Sequence, residues 1–177
     1  MESDFGLREA VIDDAREIAR VNYSTWHHTY HGLIPDSELD SLNLELLTDS
    51  WKQNLSLLNP RINTYVVLVS ELLVAYSRIY PSADPDDNPD RVATIGSMYV
   101  DPKFQRRGIG RALMESVLKY AEGHDFAEVT LHVLEANESA RNFYEHLGWE
   151  KDSVADMDGF LEERVPRVRY RRKLSGC

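Results

Sequence analysis

Residues 100–113 read Val-Asp-Pro-Lys-Phe-Gln-Arg-Arg-Gly-Ile-Gly-Arg-Ala-Leu, a run whose residue types and spacing together suggest chemistry. It joins a strand-like apolar segment, residues 97–100, to an amphipathic stretch of helical period. The turn between them carries Arg106, Arg107, Gly108, Gly110 and Arg111. A helix start presents N–H groups without acceptors and the positive end of its dipole, so it attracts anions. Glycines at 108 and 110 let the backbone approach a bulky anion with no Cβ in the way. Arginine grips phosphate oxygens as a fork. Residues 105–112 therefore read as a cradle for a pyrophosphate group. Neither a Gly-x-x-x-x-Gly-Lys-Ser/Thr loop nor a helix-opening Gly-x-Gly-x-x-Gly is present. On the residues alone, a tight strand-to-helix turn with solvated arginines is the alternative.

A second run, residues 131–149, reads Leu-His-Val-Leu-Glu-Ala-Asn-Glu-Ser-Ala-Arg-Asn-Phe-Tyr-Glu-His-Leu-Gly-Trp. Together the two resemble the paired signatures of the GNAT superfamily of N-acetyltransferases. The first is Gln/Arg-x-x-Gly-x-Gly/Ala; the second is Asn-x-x-Ala-x-x-Phe-Tyr-x-x-x-Gly-Phe, with Trp149 in place of the last Phe. Order and separation match, and the resemblance spans residues 7–174 with its specific signal in 95–149. It implies an α/β domain of the α+β type: a mixed, mostly antiparallel seven-stranded sheet flanked by helices. The central strands ending near Val100 and Val133 would run parallel and splay apart, admitting the pantetheine arm of acetyl-CoA as co-substrate.

The resemblance also assigns roles. Met98, Tyr99 and Val100 would line the cofactor arm, with backbone hydrogen bonds from Met98 and Val100 acting as docking strip and oxyanion donor. Gln105, Arg106, Arg107, Gly108, Ile109, Gly110 and Arg111 would bind pyrophosphate. Asn137 would hold the arm, or serve as a plain N-cap, or both. Tyr144 would stand beside the sulfur and protonate the departing thiolate; its alternative is a core tyrosine. Many family members carry a Glu base on the strand before the cradle, but the matching position here is approximately Thr94, which cannot serve. In the branch acetylating N-terminal amines of ribosomal proteins, a Glu precedes the motif Asn by five residues, and that position here is His132. An imidazole of pKa near 6.5 suits deprotonating an ammonium; a partly buried polar strand residue is the other reading. Aromatic residues outside any periodic stripe suit a pocket, so the acceptor is expected beside Trp26, Tyr30 and Ile34, with Phe160 and Leu161 opposite. Trp26 continuing the first helix's stripe is the alternative. An acetyltransferase is the leading reading, acting on a small-molecule or protein amine. A non-catalytic acyl-CoA sensor or scaffold and an interaction-only domain are the competitors. His27 and His31, spaced i, i+4, lack a third ligand, so no metal is expected.

Around these motifs, residues 7–10 form a short strand and Asp13 caps a helix bearing Ala15, Ile18, Ala19 and Tyr23 on one face. Leu47, Trp51, Leu55 and Leu58 mark a second helix, and the aromatic, turn-rich residues 26–35 break the helical period between the two. Residues 64–69 and 73–80 read as a hairpin. Residues 81–90, alternating Asp and Pro without calcium-loop spacing, are expected to be a solvated, mobile loop. Residues 92–100 form the strand feeding the cradle. Ile109, Ala112, Leu113, Ser116, Val117, Tyr120 and Ala121 recur at helical spacing in the segment after it, which Gly123 would cap. Val129, Leu131 and Val133 alternate as a strand, and Ala140, Phe143, Tyr144 and Leu147 line a helix closed by Gly148. Val168 and Tyr170 mark a final strand whose Arg167, Arg169 and Arg171 are expected to face water.

Across 177 residues, 42% hydrophobic and 28% charged, the composition suits one soluble domain, residues 1–177, with a sizeable core. A formal net charge of −10 argues against a nucleic-acid partner. No secretory leader is expected from the acidic first residues, and apolar runs such as 65–69 are too short for a membrane. Cys177 is the sole cysteine, so no internal disulfide forms, which fits a cytoplasmic protein. A thiol there is poorly placed to carry acetyl, so direct attack in a sequential mechanism is expected. A homodimer is compatible with the resemblance.

Overall fold

The computed structural model describes residues 4–156 and 165–174. In chain order its elements are β1 (Gly6–Glu9), α1 (Ala15–Tyr30), α2 (Asp36–Asp40), α3 (Leu44–Leu55), β2 (Asn63–Val69), β3 (Leu72–Pro81) and β4 (Val92–Val100). Then follow α4 (Ile109–Gly123), β5 (Glu128–Leu134), α5 (Glu138–His146), β6 (Glu150–Asp156) and β7 (Pro166–Lys173). The strands make one seven-stranded sheet of order β1-β2-β3-β4-β5-β7-β6. Only β4 and β5 pair in parallel; every other neighbouring pair is antiparallel. The mixed α+β architecture expected from the two motifs is the one observed.

Strand alternation divides the core into two layers. On one face α4 sets Ile109 and Leu113 against Val67, Val74 and Ala75, and Met114, Val117 and Ala121 against Ile79, Ile95 and Leu131. On the other, α1 and α3 bring Ile18, Ala19 and Trp51 onto Val66 and Tyr76. Each such side chain contributes about 1.5–3 kcal/mol by leaving water.

Helix α1 runs through Tyr30 and does not stop where the aromatic segment begins. The stripe of Ile18 is carried on by Asn22, Trp26 and Tyr30. Asn22 hides this continuity in the sequence because it is polar; half-buried at the sheet, its amide donates to the Tyr76 hydroxyl at 2.6 Å. Trp26 and Tyr30 then stack edge to face at 5.0 Å, and the chain turns at Gly32, φ 76°. Asp14, not Asp13, opens α1, gripped by Arg8 at 2.6 and 2.8 Å. Leu58 lies past the end of α3 and is fully exposed.

The arginines of β7 do not face water. Arg169, 7% exposed, forks onto Asp86 at 2.7 and 2.6 Å and reaches Asp84 at 3.2 Å and Asp152 at 2.7 Å. Arg171 binds Asp87 and Glu128, each at 2.7 Å, and Asp152 at 3.0 Å. Residues 81–90 are thus strapped across the sheet, with Ser82 buried and donating to Asp87 at 2.7 Å. The face that strand alternation leaves to solvent is covered by a loop of opposite charge.

Candidate active site

The site begins where two parallel strands part. β4 and β5 pair only over residues 92–95 and 128–131. Beyond that, the edges of residues 96–100 and 132–134 that face each other have no ladder partner. The cause is local. Opposite Arg78 and Ile79 the ladder steps from Ser97 to Ile95, leaving Gly96 as an extra residue in β4. A bulge of this kind bends its strand and shifts the side-chain alternation by one. Hence Tyr99 turns toward α1 while Met98 and Val100 pack on the α4 side. The Tyr80 ring occupies the space above Gly96 that any Cβ would need, so glycine is required there.

A cavity of about 800 Å³ runs along the parted edges to the cradle, and another of about 780 Å³ opens toward α1 and α3. Both are bounded by Tyr30, Gly96, Ser97, Tyr99, His132 and Val133, so they meet at the fork.

Of the expected cofactor residues, Met98, Tyr99, Val100, Gln105, Arg106, Gly108, Ile109, Gly110, Arg111, Asn137 and Tyr144 all line the first cavity. Arg107 does not: its guanidinium lies 5.1 Å from the centre of the Phe104 ring and donates to the Lys103 carbonyl at 3.4 Å. At the cradle Gly108 takes φ 80°, in the left-handed region that favours glycine. The first backbone bond of α4 is Ala112 N–H to the Gly108 carbonyl at 3.0 Å, and the N–H groups of Gly110 and Arg111 have no acceptor among the described residues. Arg106 and Arg111 are exposed and have no carboxylate partner there either. Open amides, two free guanidiniums and a helix dipole together suit an anion such as pyrophosphate. A Cβ on Gly110 would stand 3.3 Å from the Phe143 ring, which shows how closely α4 and α5 approach.

Asn137 is 8% exposed. It caps α5, its Oδ1 accepting from Ala140 N–H at 3.1 Å, while still lining the cavity. Tyr144 is held by ring contacts to Phe143 at 5.3 Å and to Trp149 and Tyr170 at 6.2 Å. Burial, and then the nearby Tyr99 phenol, push its pKa well above 10, so the hydroxyl stays protonated at neutral pH. Burial raises Tyr30 and Tyr99 likewise, their hydroxyls 3.4 Å apart.

His132 lies at the fork with its Nε2 3.4 Å from Asp84 Oδ2. Burial lowers its pKa first; Asp84 opposes that, and Arg167 and Arg169 reinforce it. The net direction is down from 6.5, leaving a neutral imidazole at neutral pH, the form that accepts a proton. Asp84 is itself held by Arg169 at 3.2 Å, so the strapped loop sets the field around His132. Thr94 is buried and donates to the Thr130 carbonyl at 3.3 Å.

On the other side of the fork, Trp26, Tyr30 and Ile34 line the second cavity. Trp26 also packs in a cluster with Ile34, Leu39 and Leu134, so lining and core coincide. Phe160 and Leu161 lie outside the described residues. His27 Nδ1 is engaged with the Tyr23 carbonyl at 2.9 Å, and His31 lies beyond the helix end. Asp84, Asp86 and Asp87 crowd together, but each is already matched by Arg169 or Arg171. No helix among the described residues is long and apolar enough to cross a membrane.

Sequence reasoning missed Gly96 and Tyr80, Asp84 with Arg169, and two arginines of the second cavity, Arg78 and Arg167. A glycine within an otherwise apolar strand was a usable signal for the bulge. Nothing local marks an ion pair between residues 84 and 169.

Comparison with known proteins agrees with this geometry. The model of the acetyltransferase (GNAT) family matches residues 14–149. An uncharacterized N-acetyltransferase, YuaI of Bacillus subtilis, is 28% identical over 135 residues, 75% of this chain and 73% of its own. The [ribosomal protein bS18]-alanine N-acetyltransferase of Escherichia coli is 37% identical over 62 residues, 35% of this chain and 42% of its own. In fold, the chain is similar to a PaiA N-acetyltransferase from Thermoplasma acidophilum solved with coenzyme A, at TM-score 0.72 and 18% identity over 96% of this chain and 98% of that one. Salmonella typhimurium YncA, solved with acetyl-CoA, gives 0.74 at 14% identity over 98% and 95%. With two-signature order, forked parallel strands and a family match over most of its length, the chain belongs to the GNAT family of acetyltransferases.

Proposed function

We propose that the enzyme moves the acetyl group of acetyl-CoA to a primary amine by direct attack, with both substrates bound together. The observation that carries this reading is His132 at the junction of two cavities, one leading to the anion cradle and one to the α1–α3 side. Acetyl-CoA suits the first cavity, its pyrophosphate at Arg106, Arg111 and the open amides of α4, its arm along the unpaired edge of β4. An amine entering from the second cavity as ammonium gives a proton to His132, directly or through water, and its nitrogen bonds the thioester carbon. Backbone N–H groups on the β4 edge favour the charge that develops on the carbonyl oxygen. The C–S bond then breaks as the Tyr144 hydroxyl gives its proton to the leaving sulfur, and the second proton that the nitrogen sheds in becoming an amide returns to the Tyr144 oxygen, directly or through water. The acceptor is a small-molecule or protein amine.

The test is release of coenzyme A thiol with a panel of amines. Intersecting initial-velocity lines are expected, and Tyr144→Phe should lower kcat roughly ten- to a thousandfold with little change in acetyl-CoA affinity. Ping-pong kinetics or a trapped acetyl-enzyme would overturn direct attack. Tight acetyl-CoA binding without release for any amine would make the protein a sensor.

A further inference from the structure

Among the described residues, the lining of the second cavity is net cationic, in a chain of net charge −10. Its charged lining residues are Arg78, Asp84 and Arg167. Asp84 is committed to Arg169 at 3.2 Å and to His132 at 3.4 Å. Arg78, 7% exposed, has no carboxylate partner among the described residues. It donates only to the Thr64 hydroxyl at 3.1 Å and the Asn54 carbonyl at 3.3 Å, with its guanidinium 6.0 Å from the Trp51 ring centre. Across the fork, Arg167 keeps a buried Nε with no hydrogen-bond partner among the described residues.

A buried guanidinium without a counter-charge is costly, because desolvation is not offset by a nearby anion. Here burial pulls the Arg78 pKa down from its usual value. A guanidinium carries five N–H donors, of which two are engaged on Arg78, and the residue lines the cavity. Arg78 is paired in register with Ser97, the first β4 residue past the bulge. Its Cα therefore stands one strand spacing, about 5 Å, from the fork where the amine must react. The guanidinium extends the other way, toward Thr64 and α3.

We propose that the acceptor is an amine that also bears a carboxylate, which Arg78 grips while the amine reaches His132 at the fork. This rests on the second cavity being the acceptor side. Arg167 adds positive field from the opposite strand and disfavours acceptors with a second cationic group. The offset of the Arg78 guanidinium from the fork favours acceptors whose amine and carboxylate are several bonds apart over compact α-amino acids.

The experiment measures binding to the coenzyme A-loaded enzyme by calorimetry, and KM by thiol release. Matched probes are glycine, 4-aminobutanoate and 6-aminohexanoate, each beside its carboxamide and the corresponding decarboxylated amine. The acids should bind about ten- to a hundredfold more tightly than their neutral partners, as expected for a charge-assisted fork. The two longer acids should exceed glycine. Arg78→Gln should remove the acid preference without changing acetyl-CoA affinity, and Arg78→Lys should retain part of it. Amides or plain amines binding as well as the acids, or no acid binding, overturns the proposal; this comparison needs only the natural chain, whether or not the variants fold. Acids that bind without ever being acetylated would instead refute the catalytic reading and leave the carboxylate site standing.

Discussion

Replacing Asp84 by Asn should make His132 a weaker base. The two groups are 3.4 Å apart, with side chains 21% and 26% exposed. A unit charge pair at that distance interacts by about 1.2 kcal/mol at the dielectric of water and about 5 kcal/mol at an effective value of 20. Arg169 already draws on the same carboxylate, and both side chains touch solvent, so the lower figure applies. That corresponds to about one pKa unit. Asp84 raises the imidazole pKa against the lowering by burial and by Arg167 and Arg169; removing it moves the pKa further below 6.5. Titration of the imidazole ring protons by NMR reads this directly, whether or not His132 is catalytic. If it is the base, the ascending limb of kcat/KM moves to lower pH by the same amount, and His132→Gln abolishes that limb. An imidazole pKa that stays in place, or rises, in Asp84→Asn would refute the electrostatic coupling between loop and strand.

Two further predictions concern the cradle and the strap. Arg111→Glu, in the first turn of α4, should weaken acetyl-CoA binding about ten- to a hundredfold through a lost charge-assisted contact. Tm should not fall, because a carboxylate near a helix N-terminus complements the dipole; unchanged affinity in calorimetry would remove Arg111 from the cradle. The Asp86 carboxyl is held down at about 2, first by its hydrogen bonds to Arg169. A depressed folded pKa stabilises above the ordinary carboxylate value of about 3.9 and loses that effect as pH falls toward 2. The Tm advantage of the natural chain over Asp86→Asn should therefore be full at pH 6 and be mostly lost by pH 2, and an advantage independent of pH would refute the ion pair.

The cradle and the α5 helix were legible because each depends on neighbours in sequence. Gly108 at positive φ, the open amides of α4 and the Asn137 cap are set by residues within one or two turns, and a linear pattern records such relations faithfully. The same holds for the alternation of Val129, Leu131 and Val133. Where polarity interrupts a period, local reading fails: half-buried Asn22 falls between Ile18 and Trp26 on one stripe of α1, and only its bond to Tyr76, 54 residues away, ties that position to the sheet.

The GNAT family and, Arg107 excepted, the expected cofactor residues that line the first cavity could be read from local pattern alone. That Arg107 stacks on Phe104 and leaves the cavity, that Arg169 and Arg171 strap residues 81–90, and that His132 sits against Asp84 emerge only once the chain is folded. The same holds for Arg78, a buried charge without a counter-ion among the described residues. The physical reason is that hydrogen bonds around a helix start form between residues a few positions apart, whereas charges separated by 80 residues interact only after the sheet has brought their strands together.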